Sequence, residues 1–346
     1  MKKMSKGNIA LSIVLCIILI WAFIAVIPKP SYMEDDNPFM SQEGKPPHII
    51  AHAGGNMEFP DNTLEAFYNA YSVDPDVIME ADVNMTADNV IILSHDRTLD
   101  RKTTLIDAPV IETYYSDLVN DAIDFGYENE IDGPNGTNVD GEFIRYTNYE
   151  GDTVTPLDVD YPEGVEPRHE EKFLVTTLED LITSFPDNHM IIEIKQYGET
   201  GQAALEEVLR LMAELDGDYN TFARINLASF HHEIYESFLK YQATDYPNLL
   251  FSPQEASIRE FFTLQLLRLN AFYNDPVTSF QVPMREGPIN LATNGFIHSA
   301  NQHNIAVHYW TINDPDDMRH LIEIGADGIL TDRPTLLREI IQEYYE

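Results

Sequence analysis

Hydrophobic positions along the chain fall into two regimes. Residues 9–27, IALSIVLCIILIWAFIAVI, form one uncharged run of 19, long enough to cross a bilayer as a helix. From residue 48 onward, short β-branched runs alternate with segments of helical period. The strand candidates are HIIAH (48–52), VIMEADV (77–83), MIIEIK (190–195), INLAS (225–229), NLLFS (248–252), SFQVP (279–283), IAVHYWTI (305–312) and GILTD (328–332), most of them bounded by turn residues. Helices are predicted between them. One is capped by Asn62 or Thr63 and runs to about Tyr71, and one opens on a Thr176–Glu179 capping box. Another covers 201–215, and a fourth covers 314–325, starting with Asp-Pro and stopping at Gly. Eight βα units predict parallel strands with helical crossovers, an α/β chain closed into a (β/α)8 TIM barrel. An open doubly wound sheet is the weaker alternative, because no G-x-G-x-x-G follows the first strand.

Two segments depart from this repeat. NVIILSHD (89–96) follows EADVNM after a turn near TADN. So short a connection cannot form a parallel crossover, so the two segments should pair as an inserted β-hairpin. A turn centred near 87 and 88 sets position i opposite 175 minus i and brings Glu80 to His95, within a residue or so. Residues 101–172 read as an acidic insertion, with 15 Asp and Glu between 121 and 171 against Arg145 and Arg168. Barrel insertions of this kind form lids or walls near the mouth.

The order along the chain is then a cytoplasmic N-terminus (1–8), a transmembrane anchor (9–27), a proline-rich polar linker (28–47) and a barrel domain (48–346). Lys2, Lys3 and Lys6 precede the apolar run, and Glu34, Asp35 and Asp36 follow it. That bias predicts a single-pass cell-membrane protein with its barrel extracytoplasmic. A cleaved signal peptide is the rival, but its apolar core is usually about 7–15 residues and ends at a small-residue site. Cys16 is the only cysteine, so no intramolecular disulfide forms. The formal net charge of −37 argues against nucleic acid as a partner. An anionic substrate would need a local positive centre, which a bound metal supplies.

Barrel chemistry sits at the C-terminal ends of the strands. His52 lies at the tip of the first. Glu80 and Asp82 share one face of the second, and Glu193 and Lys195 share one face of the third, by the two-residue period of a strand. The hairpin delivers His95. Carboxylates packed together repel, and a hard divalent cation, Mg or Ca, resolves this with an all-oxygen shell from Glu80, Asp82 and Glu193. Two imidazoles beside such an ion can serve as base and acid. A metal with an acid/base pair suits displacement at phosphorus, with Lys195 neutralising remaining charge. The blander readings are a surface histidine at a strand end and an ion pair within EIK.

With HAGG, FPDNT, EADV, TADN, SHDRTLDRKTT, EIK, ASF and YWTINDPDDMRHLIEIGADGILTDRP in this order, residues 48 to 340 outside the insertion resemble the glycerophosphodiester phosphodiesterase family. The resemblance implies an eight-stranded barrel, His52 and His95 as the general acid/base pair, and Glu80, Asp82 and Glu193 as metal ligands. It also implies Lys195 as a phosphate contact and Trp310 as a lining of the substrate mouth. The family's arginine after the first histidine is Ala53 here, which removes a bidentate phosphate donor; Lys195, the metal, or Arg97 and Arg101 are the candidates to compensate. The expected activity is metal-dependent hydrolysis of a glycerophosphodiester, lipid-derived or part of a cell-wall polymer, to an alcohol and sn-glycerol 3-phosphate at the outer face of a membrane. The alternatives are a phospholipase C or D type enzyme on the same barrel and a surface protein that binds phosphodiester polymers without cutting them.

Overall fold

Strands form where the β-branched runs predict them. A computed structural model describes residues 6–33, 37–132 and 136–345. The strands of the main sheet are β1 (His48–Ala51), β2 (Ile78–Met85), β3 (Ile91–Leu93), β4 (Met190–Ile194), β5 (Ile225–Ala228), β6 (Leu250–Phe251), β7 (Ser279–Val282), β8 (Ala306–Tyr309) and β9 (Gly328–Thr331). All but β3 pair in parallel, in the order β6-β5-β4-β2-β1-β9-β8-β7. A hydrogen bond from Thr278 N to Phe251 O (3.0 Å) joins the two ends. The result is a near-closed barrel of eight parallel strands.

The principal helices are α1 (Lys6–Val26), α2 (Leu64–Val73), α3 (Leu178–Ser184), α4 (Gly198–Tyr219), α5 (His232–Ala243), α6 (Glu255–Leu266), α7 (Asn294–Asn301), α8 (Pro315–Glu323) and α9 (Pro334–Tyr345). Thr63 caps α2 by accepting from Ala66 N. The capping box of α3 is Thr177 with Asp180, one residue beyond the predicted Thr176–Glu179. Thr176 is occupied elsewhere, its hydroxyl accepting from Leu64 N (3.0 Å) at the start of α2. Asp314 caps α8, accepting from Asp316 and Asp317 N, as its Asp-Pro start predicts.

Strand β3 pairs antiparallel with β2, as its short connection requires. The register is Val83 with Leu93 and Met85 with Ile91, so partners sum to 176 rather than 175. Extended past the ladder, the bond from Ser94 N to Asp82 O (2.9 Å) keeps this register. His95 is thus not opposite Glu80 but one residue removed from that position.

The segment expected as a linker, 28–47, does more than connect. Asn37 donates to Thr278 O (2.7 Å) and Asn304 O (2.8 Å), which lie just ahead of β7 and β8. The segment therefore docks at the N-terminal ends of the strands, the base of the barrel. Phe39 is fully buried there against Ile50, Ile78, Ile191, Leu250, Ala306 and Leu330. Burying such a ring stabilises by roughly 1.5–3 kcal/mol. Helix α1 contains an exposed apolar span, Gly7–Ile24, of mean hydropathy 2.5. Trp21 on α1 donates to Leu267 O (2.9 Å) at the end of α6. Lys2 and Lys3, in residues 1–5, and Glu34, Asp35 and Asp36, all used for the orientation reading, lie outside the described residues.

Candidate active site

Neighbouring strands β1, β2 and β4 bring the predicted residues together. Asp82 stands directly beside Glu193 in the parallel register. Glu80, Asp82 and Glu193 each offer an oxygen, and the three oxygens lie within 4.8 Å of one another. Lys195, just past β4, places Nζ 2.9 Å from both Asp82 Oδ1 and Glu193 Oε1. Apart from this ion pair with Lys195, buried Asp82 Oδ1 has no hydrogen-bond partner among the described residues. Burial, reinforced by the charge on Asp82, pushes Glu80 up to about 7. Burial raises Glu193 as well, against the opposing pull of Lys195. For Asp82 burial acts upward, but the charges of Lys195 and His95 outweigh it and hold the carboxyl below its usual range. Three carboxylates against one ammonium leave net negative charge in a buried site, which fits a hard divalent cation bound by Glu80, Asp82 and Glu193.

His52 follows β1 in a tight turn, His52–Gly54, in which Ala53 takes φ 48° and Gly54 φ 90°. A Cβ at Gly54 would sit 2.7 Å from that of Ala66, so this glycine lets the turn press against α2. Ala53 N donates to Glu80 Oε2 (2.8 Å), a main-chain bond that does not depend on the side chain at this position. His52 Nδ1 lies 2.6 Å from Asp332 Oδ1. Burial acts to lower the imidazole, but the Asp332 hydrogen bond and the charges of Glu80, Asp332 and Asp82 prevail and raise it to about 9. His95 is half exposed, with Nδ1 3.0 Å from Asp96 Oδ1, and that bond raises its pKa. The charges of both histidines act on Asp82 and help to hold it below its usual range.

The other candidates divide. Trp310 meets Phe230 edge to face at 6.1 Å between centroids, and together with Glu193 these rings line a cavity of 780 Å³. The guanidinium of Arg97 lies 4.5 Å from the ring centroid of Tyr197. Arg101, expected as a replacement phosphate donor, is mostly buried and bonds Asp61, Asp96 and Glu128. Three carboxylates commit its donors to structure, so it is not positioned as a free phosphate fork.

Two supporting residues escaped the sequence reading. Asp332 lies just past β9, at the same kind of strand tip that drew attention to His52. Asn62, within FPDNT, donates from Nδ2 to Asp82 Oδ2 (3.0 Å) and accepts from Asp82 N (3.0 Å), locking that carboxylate.

The chain is similar to known proteins along most of its length. Lysophospholipase D of Homo sapiens is 24% identical over 315 residues, covering 85% of this chain and 86% of that protein. A glycerophosphodiester phosphodiesterase of Caldanaerobacter subterraneus subsp. tengcongensis is 23% identical over 299 residues, covering 85% and 98%. Among solved structures, a glycerophosphoryl diester phosphodiesterase domain from Mycobacterium tuberculosis matches with a TM-score of 0.60 at 19% identity, covering 85% of this chain and 99% of that one. An Oleispira antarctica phosphodiesterase in complex with the product sn-glycerol-3-phosphate matches with a TM-score of 0.55 at 17% identity, covering 86% and 97%. The profile of the glycerophosphoryl diester phosphodiesterase family runs from His52 to Leu336, residues 52–336, and the chain belongs to that family of enzymes.

Proposed function

We propose that the protein hydrolyses glycerophosphodiesters to an alcohol and sn-glycerol 3-phosphate, with a divalent cation, Mg or Ca, held by Glu80, Asp82 and Glu193. The observation that carries this reading is the meeting of three carboxylates, Lys195 and two polarised histidines at the strand tips of one barrel. When bound, the ion polarises phosphoryl oxygens and neutralises charge developing at phosphorus. The rest falls to the chain's own groups. Asp332 takes Nδ1–H of His52 and leaves Nε2 to exchange a proton with the reacting oxygen. His95, oriented by Asp96, is the second proton carrier. Between them they take the proton of the attacking oxygen and give one to the leaving alkoxide as the P–O bond breaks. Lys195 holds Asp82 and Glu193 in place and supplies positive charge near the phosphate.

Assay with a deacylated glycerophosphodiester tests the reading through release of sn-glycerol 3-phosphate. Turnover should vanish in chelator, return on adding Mg²⁺ or Ca²⁺, and drop by about 10²–10⁴-fold in His52→Ala. Undiminished hydrolysis in Glu80→Ala would sink the ligand assignment. The location proposed is the outer face of a membrane, with α1 retained as the anchor; its exposed span supports this. Full-length protein should stay with membranes through alkaline extraction, and its release would overturn the anchor. The phospholipase C or D alternative has one observation in its favour, the apolar cavity beside Glu193; the human relative is named a lysophospholipase D.

A further inference from the structure

Charge is unevenly spread at one end of the barrel. The chain carries 58 Asp and Glu in 346 residues, yet FFTLQLLRLNAFYN (261–274) contains none and includes Arg268. Part of this run is ordinary core, with Phe261 and Tyr273 buried. The rest is not. Leu266, Leu267 and Phe272 are 67%, 54% and 55% exposed. They lie on one tight turn, closed by Leu269 N to Leu264 O (2.7 Å) and Phe272 N to Leu269 O (3.0 Å). A single exposed apolar side chain is ordinary, but three on one turn form a patch. The turn follows α6, which runs from the mouth toward the base, so the patch lies at the base of the barrel.

The neighbour of this turn is α1. Trp21 Nε1 donates to Leu267 O (2.9 Å), the Arg268 guanidinium lies 5.8 Å from the Trp21 ring centroid, and α1 lies against Asn270–Phe272. Trp21 sits three residues inside the end of the exposed apolar span Gly7–Ile24, about 4.5 Å by helical rise. A tryptophan near the end of a spanning helix belongs at the lipid–water boundary, with cations reaching past it to the headgroups. Arg268 is one such cation. Lys29, whose Nζ donates to Ile24 O (3.4 Å) at the end of the span, is another. We propose that Leu266, Leu267 and Phe272 enter the lipid boundary beside α1, so that the barrel rests on the bilayer by its base and its mouth faces away. The inference rests on α1 as the membrane anchor. The hydrogen bond to Leu267 sets the turn at the depth of Trp21, continuous with the apolar span, which makes lipid the occupant. The acid-free run also spares this face the repulsion that a chain of net charge −37 otherwise meets at anionic lipid.

Full-length protein in vesicles of phosphatidylcholine and phosphatidylglycerol tests this. Cys16 is the only cysteine, so Cys16→Ser with Leu266→Cys or with Phe272→Cys carries a single fluorophore at the turn. Cys16→Ser with Phe230→Cys carries it at the mouth, where Phe230 is exposed. Lipids brominated near the carbonyl end of the chain should quench both turn labels by about half or more, as a depth of about 5–10 Å requires. The mouth label should stay unquenched. A label on native Cys16, quenched by bromines at mid-chain, checks the anchor separately. Unquenched turn labels beside a quenched Cys16 label overturn the proposal and leave the anchor standing, and quenching at the mouth overturns it too. An unquenched Cys16 label removes the anchor and the proposal with it. Adding Leu267→Asp to the Phe272→Cys protein should lower the quenching there at least about twofold, because a charge opposes entry into lipid. Unchanged quenching would mean that the label itself draws the turn into the bilayer, and the proposal falls.

Discussion

His52 owes its state to Asp332, a residue 280 positions away in sequence. Asn313 Nδ2 donates to the other oxygen of Asp332 (2.6 Å), so the carboxylate is held from both sides. In Asp332→Asn the new carboxamide keeps its oxygen toward Asn313 and turns its NH2 toward His52. Nδ1 must then accept, and the proton moves to the nitrogen that faces the reaction. We expect kcat to drop by about 10²-fold. The pH limb carried by His52 should move to lower pH, because the bond and charge that raise its pKa are gone. A kcat/KM–pH profile with that limb unmoved would contradict the pairing. The convergence of the acidic residues and the lysine was legible because strand periodicity alone places Glu80 with Asp82 and Glu193 with Lys195. Their partners were not. A strand-tip Asp such as Asp332 or a turn Asn such as Asn62 looks ordinary until the barrel closes and sets it beside its target.

Among the elements, the strands were readable from local composition, but the hairpin register and the acidic insertion were settled by distant contacts. The register of β3 is set by bonds outside the hairpin, including Leu93 N to Thr176 O (2.8 Å), which a turn-centred count cannot include. Among its described residues the insertion's regular elements are short, a helix at Tyr115–Asn120 and a ladder of Ile131–Asp132 with Thr137–Asn138. Its order comes from side chains such as Asn129, which donates to Asp100 O and Thr103 O (2.7 Å each) and accepts from Ile144 N. Phe125, Tyr146, Val154 and Val159 carry it into the main apolar core. It also grips the turn behind His52: Tyr146 OH donates to Asn56 O (2.7 Å), and Tyr149 N donates to Met57 O (2.7 Å). The Arg333 guanidinium stacks 3.7 Å over the Tyr149 ring. Tyr146→Phe leaves the Asn56 carbonyl without that donor, at a cost of about 1–3 kcal/mol. We expect a lower denaturation midpoint together with a several-fold loss in kcat, as the turn holding His52 loosens. A stability loss with kcat intact would reduce the insertion to a purely structural wall.

For the whole molecule, the base of the barrel is as specific a construction as its mouth, and it has its own pH signature. His308 is fully buried and its Nε2 lies 2.8 Å from Phe39 O, while Nδ1 has no hydrogen-bond partner among the described residues. Burial lowers its pKa to about 4, and the bond to Phe39 only partly opposes this. The unfolded chain takes up a proton near pH 6.5 and the folded chain only near 4. The stability from this neutral ring is therefore complete above pH 6.5 and is lost by about 1.4 kcal/mol per unit as pH falls toward 4. Asp327 at the same end has the opposite sign. Burial raises it to about 6, against bonds from Val307 N, Asn301 and Ser41 N, so it takes up its proton in the folded chain first and adds stability as pH falls below 6. In the wild type the two slopes largely cancel between about pH 6 and 4. His308→Asn keeps a side-chain donor for Phe39 O but cannot titrate. The variant should be less stable at pH 7, because a smaller side chain leaves a gap. Relative to wild type it should gain about 1.4 kcal/mol per unit as pH falls from 6 to 4.5. Denaturant midpoints of both full-length proteins at those pH values measure the difference. Equal slopes would mean that His308 already meets water in the folded state, and hence that Phe39 does not seal the base.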